Sequence, residues 1–241
     1  MSDILIWGAG AIGGTVGAVL KSKGMDVTFV DTEPNHVEAI RNPHRGLQIK
    51  GPVQAARVCA EAFTPGEIVG QWKRIFLCVK AQHTRQACRT LAPHLTDDGF
   101  VLSLQNGLCE QVIADVVGMQ RTIGAFVNFG ADWMGPGEII YANRGAVVLG
   151  EMDGCITARL EHLHEAIRLF EPQAIVTDDI RSYLWGKLAY ASLLFAQALG
   201  QLGIADCLAR PELEDVWRHL AFETLRVAQA EGITPRGFNG F

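Results

Sequence analysis

Residues 4–14 read Ile-Leu-Ile-Trp-Gly-Ala-Gly-Ala-Ile-Gly-Gly, an apolar run that passes directly into glycines at 8, 10 and 13 and then into a helical pattern. A G-x-G-x-x-G spacing behind a short hydrophobic strand and ahead of a helix is the fingerprint of a loop that cradles a dinucleotide. Gly8 permits the tight turn off the strand, Gly10 lets backbone approach a pyrophosphate, and Gly13 lets the helix lie close to the sheet. Val16, Val19 and Leu20 follow at helical spacing, which predicts a helix from Ala11 to about Lys23, with Gly24 as its stop and a second strand over Val27 to Val30. Unpaired N–H groups at the start of that helix, with the positive end of its dipole, would meet phosphate charge without a lysine. The cofactor-binding residues read from this stretch are Gly8, Ala9, Gly10, Ala11, Ile12 and Gly13. A glycine-rich turn that holds no ligand is the alternative.

Asp31 stands at the end of the second strand, 18 residues after Gly13. An acidic side chain there accepts hydrogen bonds from the adenosine ribose hydroxyls, and it would repel a 2′-phosphate. Thr32, Glu33 and Pro34 bring no arginine to receive such a phosphate, and Arg41 is the first Lys or Arg downstream. The residues therefore favour NAD(H) over NADP(H), the competing reading being an Asp that caps the next helix.

Composition bounds the rest. The chain has 241 residues, is 49% hydrophobic and carries a formal net charge of −5, enough to bury a large core in a two-domain enzyme. Its basic residues are dispersed and lack interleaved aromatics, which argues against nucleic acid. The apolar start, Ile4 to Trp7, is too short to span a bilayer and has no cationic flank, so a cytoplasmic protein without membrane attachment is expected. Six cysteines, at 59, 78, 88, 109, 155 and 207, show no C-x-x-C or Cys/His ligand spacing. Free thiols and no structural metal are the expectation.

Further along, Arg45 to Val58 is an alternating stretch with glycine and proline punctuation and reads as a small hairpin or irregular crossover. Ile75 to Val79 is apolar on both faces and reads as a central parallel strand ending at Lys80, followed by a helix over Thr84 to Leu95. Phe100 to Leu104 is the next buried strand, closing in Gln105, Asn106 and Gly107. Ligands bind outside the carboxyl ends of such strands, which puts Lys80 and Asn106 on one rim with the glycine loop. Lys80 is a candidate cation for a carboxylate substrate or the cofactor, or else a solvated loop lysine. Asn106 offers its amide to a nicotinamide, or else is turn chemistry before Gly107. Ile123 to Asn128 reads as a strand, as do two runs within Gly137 to Gly150, joined by Asn143, Arg144 and Gly145 as an antiparallel turn. A helix over Thr157 to Phe170 and a short strand over Ala174 to Val176 complete a domain spanning residues 1–177. From 178 to 241 no strand is expected. Ile180 to Leu199 and Glu212 to Glu231 are long amphipathic helical patterns, with Pro211 at a helix start and Gly232 as a stop. No internal repeat or low-complexity tract stands out.

Four segments in this order resemble the ketopantoate reductase (2-dehydropantoate 2-reductase) family: Gly-Ala-Gly-Ala-Ile-Gly-Gly at 8–14, Cys-Val-Lys-Ala at 78–81, Ser-Leu-Gln-Asn-Gly-Leu at 103–108 and Trp-Gly-Lys-Leu at 185–188. The resemblance implies an α/β fold with an N-terminal Rossmann-type domain and a mostly parallel sheet, followed by an all-α domain like the C-terminal part of 6-phosphogluconate dehydrogenase. It implies reduction of a small 2-oxo acid, ketopantoate or a relative, with a nicotinamide cofactor, NADP(H) being the family-based alternative to NAD(H). Lys187 is implied as the catalytic general acid at a domain cleft, and Lys80, Asn106 and Lys187 as substrate-binding residues. Without the family, Lys187 reads as a surface lysine on a helix. A homodimer through the helical domain is a further implication. The apolar stretch Leu193, Leu194, Phe195 and Leu199 reads as core, with an interface as the alternative.

Where the family usually has asparagines one and two helical turns after the catalytic lysine, this chain has Ala191 and Phe195, neither of which donates a hydrogen bond. Ser192, Tyr190 or Gln197 would have to supply polar contacts from other faces. Loss of two such contacts argues for a different 2-oxo acid or weak activity, and leaves two other readings open: a nucleotide-binding relative without catalysis, and a dehydrogenase of the same plan acting on another hydroxy acid. Cys109 replaces a usual glycine and reads as a small buried residue. The chain reads as cut in mid-domain at Gly237 to Phe241, with the family's last helices beyond it.

Overall fold

In chain order the strands are β1 (Ile4–Trp7), β2 (Val27–Val30), β3 (Leu47–Lys50), β4 (Ala56–Val58), β5 (Ala62–Phe63), β6 (Trp72–Leu77), β7 (Leu95–Ser103), β8 (Thr122–Val127), β9 (Gly130–Gly135), β10 (Glu138–Asn143), β11 (Val147–Glu151) and β12 (Ile175–Val176). The α-helices are α1 (Ala11–Ser22), α2 (Pro34–Arg41), α3 (Thr84–Leu91), α4 (Glu110–Val117), α5 (Ala158–Arg168), α6 (Ile180–Gln197), α7 (Ile204–Leu208) and α8 (Glu214–Ala230). These come from a computed structural model that describes residues 4–237; Phe238 and Phe241 lie outside the described residues. The chain divides into two compact units between Asp178 and Asp179.

In the first unit the main sheet runs β12-β11-β8-β7-β6-β1-β2-β5. Every pairing is parallel except β8 with β11. β1 and β2 are buried at every position, as near-continuous apolar strands covered on both faces must be. β1 pairs with β2 on one side and β6 on the other, so the chain reverses its direction of travel across the sheet there. Outside the carboxyl ends of strands at such a switch point, α/β sheets hold their ligands.

A second, four-stranded sheet runs β4-β3-β10-β9. α1 packs against both sheets, which explains why it is rich in glycine. A Cβ at Gly17 would lie 2.4 Å from the Phe29 ring of the main sheet, and one at Gly14 would lie 2.4 Å from Ile139 of the second sheet. A helix squeezed on two sides has room for small residues only.

The runs within residues 137–150 are strands, but they are not the antiparallel pair the sequence suggested. β10 pairs with β9 and β3, whereas β11 crosses to the main sheet and pairs with β8. Asn143 to Gly145 carry the chain from one sheet to the other. Asn128 N–H donates to the Ala146 carbonyl at 2.8 Å, and a Cβ at Gly145 would overlap the Asn128 carbonyl. Alternating apolar residues satisfy either partner, so the pattern alone does not choose. β9 was not anticipated. The helix expected over Thr84 to Leu95 ends as α-helix at Leu91, because Pro93 enters a 3-10 turn, and Leu95 already opens β7.

The second unit contains α6, α7 and α8. Asp179 caps α6 by accepting the Ser182 N–H at 3.2 Å. Arg236 N–H donates to the Ser182 carbonyl at 2.9 Å, and the backbone there passes so close to α6 that a Cβ at Gly186 would overlap the Arg236 carbonyl. The reading of residues 193–199 as core is corrected in part. Leu193 and Leu194 are half-buried, but Phe195 is 78% exposed and Leu199 is 92% exposed. The amphipathic pattern read over Ile180 to Leu199 is also corrected: apolar residues are spread around α6 with no single stripe, Arg181, Lys187 and Gln197 being interspersed, and within the unit α8 is the helix chiefly packed on it. Among the described residues no helix is long and apolar enough to cross a membrane. The six cysteines are free thiols.

Glu110, in the first turn of α4, is 2% exposed, and its Oε1 has no hydrogen-bond partner. Burial raises its carboxyl to about 7, partly offset by backbone N–H groups at the helix start and by the Ser103 hydroxyl. A carboxyl raised in the folded state binds its proton more tightly there than in the unfolded chain. Its contribution therefore favours folding at low pH and is lost as pH rises from about 4.5 through 7. We expect Glu110→Gln to be more stable than wild type at pH 8, by on the order of 3 kcal/mol. The two proteins should converge below pH 5, as read by urea unfolding at both pH values.

Candidate active site

β1, β2, β6 and β7 end nearly level. Trp7 is in register with Val30 and Leu77, and Leu77 with Ser103. The residues just beyond these ends, Gly8, Asp31, Cys78 to Lys80 and Leu104 to Asn106, thus share one rim. A cavity of about 510 Å³ opens there, lined by Trp7, Gly8, Gly10, Ala11 and Ile12 together with Asp31 and Lys80.

The three glycines differ in what surrounds them. Gly8 has φ +99°, and a Cβ on it would lie 2.9 Å from the Val79 nitrogen. At Gly13 a Cβ would overlap the Gly8 carbonyl and approach Ile6 and Cys78, so α1 can start here only because there is no side chain. At Gly10 a Cβ would meet nothing within 4 Å. Gly10 is therefore not required by packing inside the protein, and the space beside it belongs to the cavity. A cradle that stays open where a Cβ would fit, at the N-terminus of a 12-residue helix, suits a diphosphate. Ala9 and Gly13 are buried behind this surface and do not line it.

Asp31 is held by its backbone, whose N–H donates to the Phe63 carbonyl at 3.1 Å, and Oδ1 accepts the Glu33 N–H at 3.0 Å. The carboxylate keeps further acceptor capacity for a diol. The α2 cap is Glu33, which accepts the Asn35 N–H at 3.2 Å, so Asp31 is not the capping residue. Arg41 is engaged with Glu38 and Glu67 and is not part of the cavity wall.

Lys80 is exposed and lines the cavity. Asn106 is exposed on the same rim but is not among the lining residues. Beside it, Gln105 is buried, and its Nε2 donates to the Val79 carbonyl at 2.7 Å and to Thr84 Oγ1 at 2.8 Å, tying the exit of β7 to the exit of β6. His83, Gln86, Ala87 and Thr90 also line the cavity and were missed in the sequence. The three- and four-residue spacing of these positions along the helix after β6 marks a single face, and that spacing was the available signal.

Lys187 lies in α6, in the second unit. It is half-buried, and burial pushes its ammonium down to about 8, against an ordinary lysine near 10.5. An ammonium so shifted gives up its proton more readily than a surface lysine. Ala191 and Phe195 follow at four-residue intervals on the same helix face and offer no polar atom beyond the backbone.

Comparison with known proteins agrees with this geometry. The sequence model of the family described as ketopantoate reductase PanE/ApbA matches residues 4–154. The 2-dehydropantoate 2-reductase of Archaeoglobus fulgidus is 30% identical over 95% of this chain and 74% of its own length. The crystal structure of 2-dehydropantoate 2-reductase from Geobacter metallireducens superposes with a TM-score of 0.88 at 28% identity, covering 99% of this chain and 79% of that one. A D-mandelate dehydrogenase, solved with NADH and anilino(oxo)acetate, shares the fold with a TM-score of 0.84 at 22% identity over 96% of this chain and 75% of that one. The chain spans 74% of the Archaeoglobus enzyme but 59% of the Pyrococcus horikoshii relative. With the glycine loop, the strand order and the family match in agreement, the chain belongs to the ketopantoate reductase family of NAD(P)-dependent oxidoreductases.

Proposed function

We propose that this chain binds NAD(H) in preference to NADP(H) at the glycine-loop cavity and reduces a small 2-oxo acid, 2-dehydropantoate or a relative with a more apolar substituent, to the 2-hydroxy acid. The observation that carries the reading is the open cradle at Gly10, flanked by the Asp31 carboxylate on one side and the Lys80 ammonium on the other. Gly8, Gly10, Ala11 and Ile12 would hold the diphosphate, with Ala9 and Gly13 supporting them from behind, and Asp31 would accept the ribose hydroxyls. A 2′-phosphate at that point meets a like charge, which is the support for NAD(H). Lys80 and Asn106 are assigned to the substrate and nicotinamide end. The chemistry supplied by a bound reduced nicotinamide is hydride donation to a carbonyl carbon.

Lys187 is assigned as general acid. A carbonyl that gains hydride accumulates negative charge on oxygen, and an ammonium stabilises that charge and delivers the proton. Its lowered proton affinity supports the role, because an acid works best when its pKa lies near the working pH. Ala191 and Phe195 favour a substrate with fewer hydroxyl groups than the family norm, since a pocket without donors gains nothing from a hydroxyl it cannot pair. The chain is expected to act in the cytoplasm as a soluble enzyme with a small-molecule substrate and without nucleic acid or membrane partners, and the exposed Phe195 and Leu199 are compatible with a homodimer.

Parallel fluorescence titrations should give a lower Kd for NADH than for NADPH, and Asp31→Ser should narrow the difference about tenfold. Tighter NADPH binding by the wild type would refute the ribose assignment. Gly10→Ala should fold with stability changed by less than about 1 kcal/mol yet lose dinucleotide affinity at least about tenfold. For reduction of a panel of 2-oxo acids, kcat/KM should fall as pH rises through about 8, because the acid is the protonated form that disappears there. Lys187→Ala should lower kcat on the order of 10²–10⁴-fold, remove that alkaline limb and leave NADH affinity unchanged. Full turnover in this variant would dismiss the general-acid role.

A further inference from the structure

His36 is 1% exposed in the first turn of α2, and nothing in the proposed chemistry uses it. Its ring joins three parts of the first unit. Nδ1 lies 2.9 Å from the Gly137 nitrogen and 3.4 Å from Trp133 Nε1, both in the β9–β10 hairpin region. Nε2 lies 2.8 Å from the Ala9 carbonyl oxygen, in the middle of the glycine loop. A backbone N–H and an indole N–H can only donate, and a carbonyl can only accept. The ring must therefore accept at Nδ1 and carry its proton on Nε2, which donates to Ala9. The partners fix this tautomer whatever hydrogen positions are assumed.

The bond to Ala9 has a geometric consequence one atom further on. In a trans peptide the C=O of one residue and the N–H of the next point to opposite sides, and the described chain has no cis peptide. Holding the Ala9 carbonyl towards His36 turns the Gly10 N–H away from it, and Gly10 is a residue of the cavity wall. We propose that His36 is a positioning residue for dinucleotide binding: by donating from Nε2 to the Ala9 carbonyl, it sets the peptide plane that presents the Gly10 N–H to an anionic diphosphate. This inference rests on the dinucleotide reading of the cavity. Trp133 and Gly137 in turn hold the ring, so the second sheet takes part in shaping the loop without touching the ligand.

Glutamine and asparagine separate the two halves of the ring's role. The amide nitrogen of glutamine reaches about where Nε2 sits, and the amide oxygen of asparagine falls about where Nδ1 sits. His36→Gln should therefore keep the donor to Ala9, while His36→Asn keeps the acceptor for Gly137 and loses that donor. In NADH and NADPH titrations of the intact chain, H36Q should bind within about twofold of wild type and H36N about five- to tenfold more weakly, with thermal unfolding measured beside each. Equal affinities in all three proteins, or affinities that follow the melting temperature rather than the Ala9 donor, would overturn the proposal. Nitrogen-15 NMR of the wild-type histidines gives a readout that needs no variant. It should show His36 protonated on Nε2 and bare on Nδ1, and the opposite tautomer also overturns the proposal. Failure of the wild type to bind either dinucleotide would bring down the reading of the cavity itself, whereas normal wild-type binding with a flat variant series brings down this inference alone.

Discussion

The close approach of α1 to the β1–β6 strand pair is the constraint on which the rest depends. At Gly13 the helix backbone comes so near the Gly8 carbonyl and the Ile6 and Cys78 side chains that no Cβ fits. That contact fixes where the helix begins, and so where its unpaired N–H groups lie relative to the strand ends. With β1, β2 and β6 ending level, a helix start displaced by one residue would swing those groups by about 100° around the axis and away from the rim. The second sheet presses on the other side of the same helix through Ile139 at Gly14. The helix is thus clamped between two layers, and an interior packed at that density transmits displacement instead of absorbing it.

Much of this was legible in the sequence because the information was local. Gly8, Gly10 and Gly13 each announce a backbone requirement, Val27 to Val30 and Phe100 to Leu104 are apolar runs broken only by Thr28 and Ser103, and Thr157 starts α5 with its own hydroxyl accepting the Leu160 N–H. Local signals decide the element and its ends. They do not decide which strand lies beside which. β10 finds β3 some ninety residues back in the chain, and nothing within residues 137–150 distinguishes that partner from the next strand along. The missing hairpin between β10 and β11 is a failure of this kind.

The site divides in the same way. The glycine loop, Asp31 and Lys80 could be named as candidates because each stands at the end of a recognisable strand. Lys187 became a candidate only through family resemblance, since a lysine on a helix carries no mark of burial in its sequence. His36 gave no signal at all. Its partners, Ala9, Trp133 and Gly137, are brought to it by the packing of α2 against the loop and the second sheet. The exposure of Phe195 shows the converse limit, because an apolar residue in an apolar helix is core only if something in the fold covers it.

Cys78 has a consequence for the protein's chemical endurance. It forms part of the cavity wall, and its sulfur turns to the Phe76 carbonyl at 3.6 Å, with burial holding the thiol far above its ordinary range. The thiolate is the form that peroxides and electrophiles attack, so a sulfur kept protonated is a poor target even beside an open crevice. Oxidative wear should fall first on the exposed Cys59 and Cys155, leaving the cavity wall intact after the surface has been modified.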